Sequence, residues 1–461
     1  MTLPTFYLLK SRIILVYYTV LDSNCSAGGA GGRSPLAGAR GVLASFFHPA
    51  PQAAQEKYLV VTLDKQYKID SVREREKIGM DFTLNEEQLA IRDTCREFAE
   101  QEIKPLAEEM DRTGEFPYAL IRKMGELGLL GLPFPEEYGG AGADFLSYCI
   151  AIEEISRGDV SVGITMEAHT SLGSNPFYLF GSKEQKERFL PPLARGEQLW
   201  AFGLTEPEAG SDSGGTQTRA VLRDGQWHIN GSKCFITNAG TGMTGGVTIT
   251  AVTGRRSDGH KEITNIIVPR GTPGYIIGNP YKKMGWKASD TRPLTFEDCI
   301  VPEEDILGQR GDGFKQFMQI LDAGRIAIAA LSVGLAQACL DEALSYAKQR
   351  RQFGQPISNF QAIQFKLADM DTEIEVARLM YYKAAWLHMQ GQPYSREASI
   401  AKLFASETAK RAADQAVQIH GGYGFMDEYP VSRYWRSVKV NEIGEGTSEV
   451  QRMVIAKHLG C

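Results

Sequence analysis

The sequence predicts a mostly α-helical protein with a β domain in its middle, and three observations carry that prediction. Apolar residues recur at helical spacing up to about residue 199, β-branched runs fill residues 200–308, and long helical patterns occupy residues 309–461.

Residues 1–79 stand apart from all three regions. An apolar run over 13–21 follows Lys10 and Arg12 but is too short to span a bilayer. Asp22-Ser23-Asn24 is a poor approach to a signal-peptide cleavage site, and Gly28-Gly29-Ala30-Gly31-Gly32 lacks the strand–loop–helix context of a phosphate loop. The arginines suit a mitochondrial transit peptide, whereas Asp64, Asp70, Glu74 and Glu76 do not. The expectation is an over-extended start or a disordered tail, with translation beginning at Met80.

Residues 80–199 open on a capping pattern, Thr83-x-x-Glu86, and on Ile91, Cys95 and Phe98 along one helical face. Turns are expected at 114–117, 139–142 and 173–176, where glycine and proline cluster. In residues 200–308, Asp224-Gly225 between two short apolar runs signals a hairpin, and 247–252 and 263–268 read as strands. From 309 onward, helices are expected over 314–351, 360–389 and 395–419, the last two separated by Gly391-Gln392-Pro393.

Composition narrows the function. Fifty basic against 56 acidic residues give a net charge of −6, so the chain has no global pull on nucleic acid. Seven scattered cysteines without a CxxC pair argue against a disulfide framework or a zinc site and suit a reducing compartment. The seven histidines form no HExxH, and no metal site is expected.

Two glycine-rich stretches carry chemistry. One is Gly203-Leu204-Thr205-Glu206-Pro207-Glu208-Ala209-Gly210-Ser211-Asp212-Ser213-Gly214; the other runs from Gln418-Ile419-His420-Gly421-Gly422 to Asn441-Glu442-Ile443-Gly444-Glu445-Gly446-Thr447-Ser448-Glu449. Each offers hydroxyls and free backbone N–H groups able to hold phosphates or a flavin edge. Together, in this order, they resemble the two signature segments of the acyl-CoA dehydrogenase family, and the resemblance extends from Met80 to Cys461.

That resemblance implies an N-terminal helical domain, a small β domain and a C-terminal four-helix bundle, assembled as a homotetramer. It implies FAD lined by Phe202, Leu204, Thr205, Gly210, Ser211, Phe235 and Thr237, with Thr447 and Glu449 closing the site. Arg350, Phe353, Gln361, Gln418 and Gly422 match positions serving the FAD of a neighbouring subunit. Glu445 matches the catalytic base, while Ser211, Asp322, Arg325 and Gly446 match substrate contacts. Some relatives carry their base at the position of Gly324, which has no side chain here. The implied reaction is α,β-dehydrogenation of an acyl-CoA to the trans-2-enoyl-CoA, with hydride passed to FAD and electrons to electron-transferring flavoprotein.

Two departures stand out. Gly444 replaces a common aromatic, which widens the pocket, and Ser437 replaces an acidic residue after Arg436. The stretch 321–325 looks most like short-chain members, so a short or short branched acyl-CoA is expected, in the cytoplasm, with no membrane or nucleic-acid partner. The competing readings are an acyl-CoA or nitroalkane oxidase and a DNA-associated superfamily member. The first is disfavoured by length and by Glu445 in place of aspartate, the second by net charge and the lack of a basic C-terminal extension.

Overall fold

The computed structural model describes residues 5–9, 12–16 and 83–461, in two units, Met1–Phe82 and Thr83–Cys461. In the first, β1 (Thr5–Leu9) pairs antiparallel with β2 (Arg12–Val16). The rest of residues 1–79, with the glycine cluster and the question of an over-extended or disordered leader, lies outside the described residues.

The second unit opens with α1 (Glu86–Phe98), capped two residues later than the pattern suggested. Asn85 Oδ1 accepts from Gln88 N at 2.8 Å and Gln88 Oε1 accepts from Asn85 N at 3.0 Å, so the capping box is Asn85/Gln88. Glu86 is already the first helical residue and does not fill the Thr83 box. Next come α2 (Ala107–Thr113), α3 (Tyr118–Glu126), α4 (Phe145–Gly158) and α5 (Val160–Glu167). The expected turn at 173–176 is instead helical. A π-helical segment, Ala168–Ser174, runs on into α6 (Asn175–Phe180), where Pro176 sits in the first turn and its missing N–H costs nothing. Then α7 (Lys183–Ala194) leads to the sheet.

Seven strands make the β domain: β3 (Leu199–Gly203), β4 (Arg219–Arg223), β5 (Gln226–Thr237), β6 (Thr244–Arg255), β7 (Lys261–Pro269), β8 (Tyr275–Ile277) and β9 (Thr291–Pro302). Their order is β3-β6-β4-β5-β9-β8, with β7 on β6. Asp224 and Gly225 both take positive φ, 49° and 74°, which is the twist a two-residue hairpin needs. Trp227, Ile229, Val247, Ile249 and Phe296 fill the domain's core.

The chain then returns to helices with α8 (Gly313–Gln349), a small hairpin of β10 (Arg351–Gln352) and β11 (Gln355–Pro356), α9 (Gln361–Met389), α10 (Ser395–His420), α11 (Pro430–Val438) and α12 (Ser448–Leu459). By length and composition α8 is apolar enough to cross a membrane, yet 94% of its apolar stretch is buried inside the protein. It is the central rod of the bundle, packed by α4, α9 and α10. The approach of α4 requires glycine: a Cβ on Gly334 would stand 2.1 Å from the Glu153 carbonyl oxygen. One face of α9 is left bare, with Phe365, Val376 and Leu379 exposed along it.

Candidate active site

Glu445 sits between two glycines in the loop joining α11 to α12, with a left-handed φ of 52° that costs about 1–2 kcal/mol for a residue with a Cβ. The loop is held from two sides. Thr447 caps α12 by accepting from Val450 N, and Gln451 Nε2 donates to the carbonyls of Glu445 (3.2 Å) and Gly446 (2.9 Å). From α10, the buried Lys402 Nζ donates to the Gly446 carbonyl at 2.9 Å. Among the described residues, the Glu445 N–H donates to no protein group.

The side chain points at α8. A Cβ built on Gly324 would lie 2.2 Å from Glu445 Oε2, so this glycine makes room for the carboxyl. Oε2 is buried and meets no conventional donor. Burial pushes the carboxyl up to about 7; a hydrogen bond with Glu167 and the charges of Lys402 and Arg325 pull the other way. Arg325 is itself buried and pairs with Asp322 at 2.5 Å, while Ser395 Oγ donates to Asp322 at 3.0 Å. Asp322 and Ser171 line a cleft of about 760 Å³ with Phe145, Tyr148, Tyr394 and Arg396, a volume suited to an organic substrate.

The segment after β3 is pinned by an ion pair that sequence reasoning passed over. Lys233 Nζ, fully buried, lies 2.7 Å from Glu206 Oε1 and also donates to the Leu204 carbonyl (3.2 Å) and Thr250 Oγ1 (3.0 Å). Glu206 in turn accepts from Thr216 Oγ1 and from the backbone of Gln217 and Thr218. Burial alone raises the Glu206 carboxyl; Lys233 and these donors outweigh it and bring it to about 2. Thr205, Gly210 and Ser211 therefore ride on an anchored loop, the last two exposed. Phe202 is buried against Phe317 and Ile320, with Leu204 beside them, so any part Phe202 plays in a cofactor site falls to its backbone.

Backbone strain collects at the expected site residues. Phe235, Phe353 and Glu445 are three of seven described non-glycine residues at positive φ. Phe235 is 65% exposed beside the Tyr281 ring, at the end of β5 that also carries Thr237; Phe353 is 92% exposed. Thr447 and Glu449 stand at the start of α12, next to Glu445.

The remaining expected residues form a second, separate patch. Arg350 ends α8 with its guanidinium over the Tyr423 ring, near Phe353 on the hairpin, and Gln361 starts α9. Gln418 and Gly422 are exposed at the end of α10. Arg350 and Gly324 are separated by most of α8, a rise of about 39 Å at 1.5 Å per residue. One chain does not bring the two sets together.

Arg436 resolves one departure noted in the sequence. With serine at 437, its guanidinium pairs with Asp111 instead, at 3.0 and 2.5 Å.

Glu167 was missed altogether. It ends α5, is fully buried, and its Oε1 accepts from Ser171 Oγ. A lone carboxylate closing the apolar run Val160–Met166 was the available signal, since a charge on a helix buried all round demands a partner. Lys402 carried the same signal on the alanine-rich face of α10.

The arrangement sets a buried carboxyl, raised by desolvation, against the central helix α8, whose first turns also pack on Phe202 of the β domain. Family models match the acyl-CoA dehydrogenase N-terminal domain over residues 85–197, the middle domain over 201–299 and the C-terminal domain over 311–460. The chain belongs to the acyl-CoA dehydrogenase family, whose reaction is FAD-dependent dehydrogenation of acyl-CoA thioesters. It is 56% identical over 380 residues to the probable acyl-CoA dehydrogenase YngJ of Bacillus subtilis (strain 168), covering 82% of this chain and 100% of that one. Among solved structures it is similar to butyryl-CoA dehydrogenase from Megasphaera elsdenii, with a TM-score of 0.80, 45% identity, and coverage of 83% of this chain and 100% of that one. A structure described as the electron transferring flavoprotein of Acidaminococcus fermentans matches with a TM-score of 0.80 and 47% identity, over 82% of this chain and 99% of that one.

Proposed function

We propose that the chain dehydrogenates a short or short branched acyl-CoA, with Glu445 as the base that takes the α-proton. The observation that carries this reading is the buried carboxyl of Glu445, whose Oε2 no N–H or hydroxyl reaches, set against Gly324 next to the cleft-lining Ala323. An acyl-CoA α-proton is weakly acidic, so the base must be desolvated and the charge on the thioester oxygen must be met by a donor. The free N–H of Glu445 suits that second task.

FAD, when bound, supplies the hydride acceptor. Phe235 and Phe353 offer bare aromatic faces that fit a flat ring system, and exposed Gly210 leaves open space where a side chain would stand. In this reading Phe202, Leu204, Thr205, Gly210, Ser211, Phe235, Thr237, Thr447 and Glu449 hold the cofactor. Arg350, Phe353, Gln361, Gln418 and Gly422 reach the FAD of a neighbouring subunit, which their distance along α8 from Gly324 favours. The bare face of α9 supports a homotetramer. Asp322, Arg325, Ser211 and Gly446 serve the substrate, and the division at 80–199, 200–308 and 309–461 gives each domain its part.

Electron-transferring flavoprotein is the proposed acceptor, supported by the Acidaminococcus match. Likeness to butyryl-CoA dehydrogenase supports the short acyl chain. A cytoplasmic location goes with the bacterial relatives; the mitochondrial alternative gains no support.

Anaerobic titration of the FAD-loaded protein with acyl-CoAs of increasing length tests the substrate. Butyryl- and isobutyryl-CoA are expected to bleach the flavin faster than octanoyl-CoA, and absence of bleaching by every thioester would end the reading. A second prediction concerns Gly324. Gly324→Ala is expected to fold normally, because only a flexible carboxyl obstructs the new methyl, yet to slow bleaching about 100-fold by displacing the base. Stopped-flow reduction at saturating substrate measures it.

A further inference from the structure

We infer that Glu167 is a positioning residue for Glu445: its carboxylic acid donates a hydrogen bond to the Glu445 carboxylate and poises it for the substrate. This rests on Glu445 being the base.

Geometry brings the two groups together. Each has a buried Oε2 that no N–H or hydroxyl reaches, and each carboxyl lies close enough to shift the other's proton affinity, so a proton between them would satisfy both orphaned oxygens. Glu167 Oε1 is occupied by the Ser171 hydroxyl, which leaves Oε2 for Glu445. Two carboxyls in contact away from water do not both ionise, so one proton is shared.

The surroundings decide which one carries it. Glu445 faces the ammonium of Lys402 from α10 and the guanidinium of Arg325 from α8, itself paired with Asp322. Glu167 faces no cation. Its neighbours are Ser171 from the π-helical segment, the Tyr148 hydroxyl and Cys149 from α4, and Glu445 itself. Negative charge is therefore stable on Glu445 and costly on Glu167, and the Glu167 carboxyl is raised well above its ordinary range by burial and by Glu445. The proton stays on Glu167 while Glu445 remains ionised and ready.

The π-helical segment places this acid. It starts at Ala168, directly after Glu167, and swings Ser171 back onto the same carboxyl. When substrate arrives, its α-proton goes to Glu445 while the Glu167 proton stays in place, so the pair moves from one shared proton to two.

Two variants separate donation from mere packing. Glu167→Gln keeps an N–H able to donate to Glu445 and an oxygen to accept from Ser171. Glu167→Met fills similar volume and donates nothing. Losing the donor destabilises the Glu445 carboxylate, so its proton is released at higher pH. In Glu167→Met the pH profile of flavin reduction by butyryl-CoA is expected to shift alkaline by about one unit, whereas Glu167→Gln stays near wild type. A Met profile that superposes on wild type would overturn the proposal, as would a Gln profile shifted equally.

A second readout needs no turnover. Infrared difference spectra of the FAD-loaded protein at about pH 8, wild type minus Glu167→Gln, are expected to contain one carboxylic-acid C=O band. Its absence overturns the pairing even if no acyl-CoA reduces the wild-type flavin, an outcome that would count against the dehydrogenase reading alone.

Discussion

Glu445→Gln is expected to slow acyl-CoA-dependent flavin reduction by about 10²- to 10⁴-fold while leaving FAD bound. Glutamine has the same length and tolerates the same backbone, so the loop between Gly444 and Gly446 need not move. Its amide has no basicity, and the α-proton loses its acceptor. Gly324 leaves no second carboxylate at the rival position on α8. The pH dependence of the wild type follows in sign. Burial, partly offset by Glu167, Lys402 and Arg325, holds Glu445 at about 7, so reduction should speed up as pH rises through 7 and level off above it. Stopped-flow bleaching across that range measures both effects; a variant retaining wild-type rate would move the base elsewhere.

Lys233→Met should have the largest effect on stability, a loss of about 3–5 kcal/mol, because it leaves Glu206 charged, buried and without its ammonium partner. The damage should reach cofactor retention as well, since Glu206 ties down the loop bearing Gly210 and Ser211. Denaturant unfolding of the FAD-saturated protein, followed by flavin fluorescence, measures both. The double variant Lys233→Met with Glu206→Leu should recover most of the loss, since removing both charges removes the desolvation cost that breaking one exposes. If the single variant unfolds at the wild-type midpoint, the pair is idle. In the native protein Glu206 titrates at about 2 against an ordinary 4.5. Its contribution is thus complete above 4.5 and is lost as pH falls through 2.

The three long helices were legible to within two residues, because their apolar periodicity extends over many turns. So was the Asp224-Gly225 hairpin, where two residues of fixed chemistry dictate the turn. The α1 cap was misread since two overlapping four-residue patterns satisfied the same rule, and only helix geometry chooses between them. The turn expected at 173–176 failed for a related reason: a glycine and a proline read as a break, yet a π-helical register absorbs Gly173 and the first turn of α6 accepts Pro176. Glu445 was visible through its flanking glycines and the family motif around it. Glu167, Lys402 and the Glu206–Lys233 pair were not. Each takes its meaning from a partner on a distant element, and local pattern carries no record of who meets whom across a core.

The left-handed backbone at Glu445 has a consequence for how this protein can change. Glycine at that position would relax the dihedral and remove a carboxyl that burial penalises. With Glu445 as the proposed base, durability and chemistry are opposed at this one residue: selection for heat resistance alone would favour losing the carboxylate, whereas selection for turnover would keep it.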